Sequence, residues 1–409
     1  MLNKKTLDDI DCEGAKVIIR VDFNVPIKDG VVTDPKRIVA ALPTIQYLLR
    51  HNCKIILLSH LSRIKNLDDI KSGKKSLAPV VKVLQELLPN HDVLFLNVNR
   101  GPSVVDAVEK LKAGQILLLE NTRYCDVNAN GELVKLESKC DEALGKEWAS
   151  LATIFVNDAF GTAHRKHASN VGIAQYIAIS CIGLLIQKEI TNLSKIAHNP
   201  KRPVVAILGG AKVSDKLKVI NNLLEIADKI LICGAMVYTF LKTQNVDVGT
   251  SLLEPEMLEE AKKILQKGKD KIMLPQDFLC VSEFVDASPT TRTVTQGLNG
   301  MMGLDIGEQT LITFGAALAG ARTIFWNGPA GVFEFKNFQA GTKGICSILK
   351  KLYHEHHAFT LIGGGDTAAA AVSLGFQEAD FSFISTGGGA SLEFIEGSPL
   401  PGIAAIQNK

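Results

Sequence analysis

Short runs of apolar, β-branched residues recur along the whole chain, each separated from the next by a stretch with helical periodicity. That alternation is what βαβ units require when a parallel sheet is covered on both faces. Runs at 16–21, 54–58, 93–98, 116–119 and 153–156 read as strands of a first half, and runs at 204–208, 229–233, 271–274, 323–326, 359–362 and 381–384 as strands of a second. A chain of 409 residues is long for one core and suits two domains of about 200. Between the two sets, in 187–203, Leu193, Ile196 and Ala197 suggest a helix ending near His198-Asn199-Pro200, a semi-rigid connection. The expected fold is α/β: two doubly wound, Rossmann-like parallel-sheet domains joined by a helical hinge.

At 46% hydrophobic and 22% charged, with a formal net charge of +2, the chain sets up no global field toward nucleic acid or an anionic membrane. Any anion site must be local, and neither nucleic acid nor membrane is an expected partner. The eight cysteines, scattered from Cys12 to Cys346, form no C-x-x-C pair, so neither a disulfide framework nor a zinc site is expected. Residues 1–14 are acidic and lack an apolar targeting core, which makes a reducing cytoplasm the expected location; a monomer is the expected state. The uncharged, largely apolar stretch 171–187 contains Gln175 and Ser180 and falls short of the roughly 20 apolar residues of a membrane span. It reads as a buried connector.

Chemistry concentrates just past the strand runs. In open α/β sheets ligands sit beyond the carboxyl ends of the strands, and those positions are polar or glycine-rich here: Asp22 and Asn24, Ser59-His60, Glu120-Asn121, Asn157-Asp158, then Gly209-Gly210, Asn327-Gly328, Gly363-Gly364-Gly365 and Gly387-Gly388-Gly389. One cleft is expected on each half, and the two differ. Seven of the ten arginines lie in the first 170 residues. Arg63, Arg123 and Arg165 follow strand ends, Arg37 opens an expected helix, and His60 and His164 share those loops. Four planar guanidinium forks on one edge suit a small polyanion, although any one of them also reads as a solvated surface arginine.

The second half offers glycine turns instead. Gly363-Gly364-Gly365-Asp366 follows an apolar run and leads into Thr367 and four alanines, which reads as strand, turn and helix start. There the backbone approaches an anion closely, and unpaired N–H groups and the helix dipole hold it. Asp366 would be an odd neighbour for that anion unless Mg²⁺ lay between them, held by one carboxylate and nucleotide phosphates. After Gly209-Gly210 a helix is expected with Val213, Leu217, Ile220, Leu224 and Ala227 on its apolar face. Lys212 and Lys216 would then sit in its first turn, where cations oppose the dipole and a bound anion explains them, unless they simply line a solvated flank. WNGPAGVFE at 326–334 and STGGGASLE at 385–393 supply further glycine turns, each of which alone could be purely structural. No G-x-x-x-x-G-K-[ST] occurs, so a Walker-type ATPase is not expected.

In sequence order, RVDFNVP at 20–26, LSHLSR at 58–63, VNDAFGTAHR at 156–165, LGGAKVSDK at 208–216, WNGPAGVFE, GGGDT and STGGGASLE resemble the phosphoglycerate kinase family from one end of the chain to the other. The resemblance implies a glycolytic enzyme that moves a phosphoryl group reversibly between 1,3-bisphosphoglycerate and ADP, giving 3-phosphoglycerate and ATP, in line and after hinge closure. It implies an N-terminal domain, 1–182, for the phosphoglycerate, a C-terminal domain, 183–398, for the Mg-nucleotide, and a segment, 399–409, that returns to the first domain. Matched motif by motif, Asp22, Asn24, Arg37, His60, Arg63, Arg123 and Arg165 fall on substrate positions. Gly210, Lys212, Lys216, Asn327, Pro329, Glu334, Gly363, Gly364, Gly365, Asp366 and Thr367 fall on nucleotide positions. Catalytic roles go to Arg37 and Lys212, on the equatorial oxygens of the migrating group, and to the helix starts at Gly364 and Gly388; Asp366 is the metal carboxylate.

Departures from the family pattern are few: Ser62 stands where glycine is usual, Ile64 where proline is frequent, Thr122 where leucine is common, and Cys233 where a glycine often precedes the Gly-Ala turn. The alternative is a nucleotide-binding interaction protein that has lost catalysis, yet such a loss would be expected to erode Arg37, Lys212 or Asp366. A dinucleotide oxidoreductase would carry G-x-G-x-x-G after its first strand, where RVDFNVP stands instead.

Overall fold

The computed structural model describes residues 3–409; Met1 and Leu2, part of the N-terminal stretch read for targeting, lie outside the described residues. The chain divides into two compact units, Met1–Thr191 with Pro399–Lys409, and Asn192–Ser398.

The first unit carries β1 (Lys16–Arg20), a hairpin of β2 (Ile27–Lys28) and β3 (Val31–Val32), β4 (Lys54–Leu58), β5 (Val93–Leu96), β6 (Ile116–Leu119), β7 (Ile154–Asn157) and β8 (Ile179–Ile182). Its helices are α1 (Lys36–Arg50), α2 (Leu67–Lys71), α3 (Ala78–Leu87), α4 (Pro102–Lys110), α5 (Glu142–Ala149) and α6 (Ile173–Tyr176), and the split between units falls inside α7 (Leu184–Ala197). The main sheet runs β5-β6-β4-β1-β7-β8 with every pair parallel. From β1 the chain first moves to β4 on one side and later to β7 on the other, so the winding reverses beside β1 and opens a crevice at its carboxyl end. Alternate strand residues share a face: Val17, Ile19, Ile55, Leu57, Leu118 and Val156 join one apolar cluster with Ile38, Ile45, Leu48 and Leu84. Each such fully buried side chain contributes about 1.5–3 kcal/mol.

Uncharged 171–187 is not one connector. It resolves into α6, the edge strand β8 and the start of α7. Its lack of charge comes from burial of β8, which pairs with β7 in register Phe155↔Ser180 and Val156↔Cys181. The C-terminal residues, with α15 (Pro401–Ala404), pack on this unit: Gly402 N–H donates to Ala163 O at 2.8 Å, and Asn157 Nδ2 to Gly402 O at 2.8 Å.

The second unit carries β9 (Val204–Leu208), β10 (Lys229–Ile232), β11 (Ile272–Met273), β12 (Asp277–Val281), β13 (Thr290–Thr293), β14 (Met302–Ile306), β15 (Thr323–Asn327), β16 (Phe359–Gly363) and β17 (Phe383–Ile384). Its helices are α8 (Leu217–Ile226), α9 (Val237–Thr243), α10 (Leu258–Lys267), α11 (Glu308–Leu318), α12 (Ala340–His356), α13 (Gly365–Ser373) and α14 (Gly388–Ile395). A parallel sheet runs β11-β10-β9-β15-β16-β17, with its winding reversal between β9 and β15. Trp326, Ile324, Ile207 and Phe314 lie in its core. A second, antiparallel sheet, β13-β12-β14, was not foreshadowed by the apolar runs. Its strands are short and interrupted by polar residues, as in TTRT of β13. No helix among the described residues is long and apolar enough to cross a membrane.

Candidate functional site

Two clusters stand at the two winding reversals. In the first unit, Asp22 and Asn24 follow β1, and Arg37 is the second residue of α1. Arg37 Nη1 donates to Asp22 Oδ2 at 3.1 Å and to Asn24 O at 3.2 Å. Asn24 Oδ1 accepts from Ser62 N–H at 2.8 Å, and Ser62 O accepts from Arg123 Nη1 at 2.6 Å. His60 Nδ1 lies 3.8 Å from Asp22 Oδ1 and 3.2 Å from Arg20 Nη2. One hydrogen-bonded chain thus joins Asp22, Asn24, Arg37 and Arg123, with His60 packed beside Asp22.

The loops that carry them are tied by Asn121, buried after β6. Its Oδ1 accepts from Leu61 N–H and Arg123 N–H, and its Nδ2 donates to Leu61 O and Lys75 O. Arg63 and Arg165 are exposed, and among the described residues the Arg63 guanidinium makes no hydrogen bond or ion pair. Arg63 offers only its carbonyl, to Lys75 Nζ at 2.6 Å, while Arg165 Nε donates to His164 Nε2 at 3.2 Å. His60 is held well below its usual pKa, first by burial and then by Arg20 and Arg123, so it is a neutral ring at pH 7. Burial lowers His164 in the same direction, with Arg165 adding to it. The cluster is cationic through its arginines alone.

In the second unit the loops after β9, β15 and β16 meet. Glycine is demanded where they touch: a Cβ on Gly209 would fall 2.1 Å from Pro329 O, and one on Gly328 2.3 Å from Gly209 C. Asn327 ends β15; its Oδ1 accepts from Lys216 Nζ and its Nδ2 donates to Gly363 O at 2.6 Å. Thr367 Oγ1 accepts from Gly328 N–H at 2.7 Å and donates to Gly363 O at 3.2 Å. Gly364, at φ 100°, turns the chain from β16 into α13. The start of α14 comes alongside, since a Cβ on Gly388 would lie only 3.6 Å from Gly365 N. Two sets of unpaired N–H groups therefore converge, and their dipoles add. Asp366 lies in the first turn of α13, close enough to oppose the lowering of the Lys216 pKa that burial produces.

The expected helix start is corrected. α8 begins at Leu217, with Lys216 as its N-cap residue, so Lys212 lies in the preceding loop rather than in a first helical turn. Val213 is buried but precedes the helix; its burial reflects packing of the loop, which is why it matched the apolar stripe. Glu254 fixes that loop, accepting from Val213 N–H at 2.5 Å, Ser214 N–H at 3.3 Å and Ser214 Oγ at 2.5 Å. Lys212 and Glu334 are exposed, and neither side chain has a hydrogen-bond or ion-pair partner among the described residues.

No group of three or more His, Cys, Asp or Glu side chains among the described residues is arranged to hold a metal by itself. A lone carboxylate at a phosphate-type helix start fits Mg²⁺ chemistry, which uses one or two carboxylates plus substrate phosphates. Sequence reasoning missed Arg20, Glu137, Ser169 and Glu254. Arg20 had a signal, a charge closing the apolar run KVIIR, whereas Glu137 and Glu254 stand in loops and Ser169 in a short helical turn, Ala168–Gly172, where nothing in the sequence distinguishes them.

A sequence profile described as phosphoglycerate kinase matches residues 7–398. Among curated relatives, phosphoglycerate kinases of Mycoplasma pneumoniae and Fusobacterium nucleatum are 56% and 52% identical over alignments covering 100% and 99% of this chain and 100% of each relative. The solved structure of phosphoglycerate kinase from Coxiella burnetii is similar at 34% identity and a TM-score of 0.85, covering 98% of each chain. That of Pyrococcus horikoshii matches at 30% identity and 0.80, covering 98% of this chain and 97% of the other.

Proposed function

This chain belongs to the phosphoglycerate kinase family, and from that premise we propose how its two clefts divide the reaction. The enzyme is a phosphotransferase with a carboxyl acceptor, exchanging a phosphoryl group between 1,3-bisphosphoglycerate and ADP in glycolysis. The arginine cluster of the first unit is assigned to the phosphoglycerate: Asp22, Asn24, Arg37, His60, Arg63, Arg123 and Arg165. The glycine turns of the second are assigned to the nucleotide, with Gly210, Lys212, Lys216, Asn327, Pro329, Glu334 and 363–367 around it. The convergence of the α13 and α14 N-termini beside the Lys216–Asn327 bond carries this reading, because paired helix starts flanked by lysine recognise phosphate.

A carboxylate is already ionised and needs no general base, so positioning and charge neutralisation are the task. Arg37 and Lys212 are assigned to the oxygens of the migrating phosphoryl group, and the N–H groups at Gly364 and Gly388 to oxygens of the nucleotide phosphates. These donors are fixed by the fold before reaction begins. Asp366 would hold Mg²⁺, which when bound neutralises phosphate charge. Holding two polyanions on separate units keeps their repulsion low until they meet, and bending at α7 is assigned to that closure, which also excludes water. The chain is proposed to act in the cytoplasm as a monomer.

The test is ATP consumption dependent on 3-phosphoglycerate and Mg²⁺, with Asp366→Ala beside the parent. The parent turns over and the variant loses roughly 10²-fold or more in kcat. A variant within about threefold of the parent removes Asp366 from metal binding, and a folded, ADP-binding parent without turnover favours the non-catalytic alternative.

A further inference from the structure

Behind the arginine cluster lies a buried polar relay that none of the assigned binding roles uses. Arg20, the last residue of β1, and Glu137, from the loop before α5, are both 0% exposed. Arg20 Nε donates to Ser169 Oγ at 2.7 Å and its Nη1 donates to Val21 O. Ser169 in turn donates twice to one carboxylate, its hydroxyl to Glu137 Oε1 at 2.5 Å and its N–H to Oε2 at 2.9 Å. A hydroxyl has one hydrogen, so giving it to Glu137 leaves the oxygen lone pairs to accept from Arg20. The polarity of the relay is therefore fixed.

The other end of Arg20 reaches His60, its Nη2 standing 3.2 Å from Nδ1. A guanidinium has donors only, so His60 Nδ1 must accept. The neutral ring then carries its hydrogen on Nε2, which has no hydrogen-bond partner among the described residues. The geometry points to Glu137 and Ser169 as positioning residues of the phosphoglycerate cleft: they hold Arg20, and through it fix His60 as a single tautomer whose Nε2–H is available to a bound oxyanion. The inference rests on the assignment of that anion to the first unit. His167 also faces Glu137, with Nδ1 3.8 Å from Oε1, but burial and then Arg20 push its pKa down to about 3, so Arg20 is the cation this carboxylate balances. Losing Glu137 would leave the buried Arg20 charge, which already faces that of Arg123, with Asp22 as its remaining carboxylate.

The experiment compares Ser169→Ala and Glu137→Gln with Ser169→Thr, which keeps the hydroxyl. In substrate-free enzyme labelled with ¹⁵N at the histidine rings, the parent gives His60 an unprotonated Nδ1 and a protonated Nε2. Ser169→Ala and Glu137→Gln lose that single tautomer, and Ser169→Thr keeps it. In the coupled assay the first two raise KM for 3-phosphoglycerate roughly tenfold while KM for ATP stays within about twofold. Retention of the Nε2–H tautomer in both variants overturns the inference whatever KM does, and a lost tautomer with unchanged KM overturns the positioning role. Should Ser169→Ala be insoluble, the isosteric Glu137→Gln decides alone. Because the nitrogen signal is read without substrate, its outcome is separable from a failure of the two-cleft assignment, which would appear as the parent's own substrate dependence.

Discussion

Lys212 and Lys216 stand four residues apart but live in different chemistry. Lys216 is partly buried and bonded to Asn327, and burial pulls its pKa down; Lys212 is exposed and its side chain is bonded to nothing among the described residues. A cation with no such partner costs the fold little to lose, whereas on the assignment proposed above the migrating phosphoryl group would lose a neutralising charge. Lys212→Ala is therefore expected to lower kcat roughly 10²-fold while changing stability by less than about 0.5 kcal/mol. Turnover against a thermal melt checks this, and a kcat within about threefold of the parent removes Lys212 from the mechanism. Residues of this kind could be nominated from the sequence because arginine, lysine and aspartate at strand ends stand out. Ser62 is a subtler case: it holds φ 57°, the left-handed region that favours glycine, which accounts physically for the glycine usual at that place. Glu137 left no trace in the sequence, since its meaning comes from Ser169, 32 residues on, and Arg20, far earlier in the chain.

Strands with continuous apolar runs could be read because burial on both faces forces that composition, and all eleven such runs overlap observed strands. β8 escaped because it is a short edge strand inside a longer uncharged stretch, and the β12–β14 sheet because β13 is exposed and Asp277, Gly303 and Asp305 interrupt the buried β12 and β14. Within that second sheet Asp305, on β14, ties two elements. Its Oδ1 accepts from Ile306 N–H at 2.9 Å and its Oδ2 from Gly341 N–H, in the first turn of α12, at 2.7 Å. Glycine at 331 and 341 makes room for it, since a Cβ would fall 2.4 and 2.2 Å from Oδ1. Burial raises its pKa to about 7, against the pull of those two donors. The folded state thus binds the proton more tightly than the unfolded chain. Its stabilising share is full below about pH 4 and is lost as pH rises through about 7. Asp305→Asn cannot ionise, so the stability gap between parent and variant should shift against the parent from pH 4 to pH 7, by on the order of 2–4 kcal/mol. Asp158, also raised to about 7, titrates in both proteins and cancels. Denaturant titrations across that range decide; a gap constant to within about 0.5 kcal/mol means that Asp305 is ionised throughout.

For the molecule as a whole, chain length and two sets of strand runs made the two-part architecture legible, but helical periodicity runs unbroken through α7 and gave no sign of where within it one unit yields to the other. Each unit has its own parallel sheet and its own apolar core, so binding energy gained in one cleft stabilises the unit that holds it. Arg63 is the residue that tests this division cleanly. Its loop is pinned by Asn121 and by the Lys75 bond to its carbonyl, and the exposed guanidinium contributes nothing to that pinning. Removing the side chain should leave both cores intact. A ligand at about 100 times its Kd stabilises its host by about 2.7 kcal/mol, and a tenfold weaker site loses about 1.4 kcal/mol of that. Arg63→Ala should therefore shrink the thermal shift produced by 3-phosphoglycerate and raise its KM, while the shift produced by Mg-ADP and the KM for ATP stay as in the parent. If both ligands lose equally, a single shared site has to replace the two clefts, because a change confined to one sheet edge of the first unit has no other route to nucleotide affinity than a common binding surface.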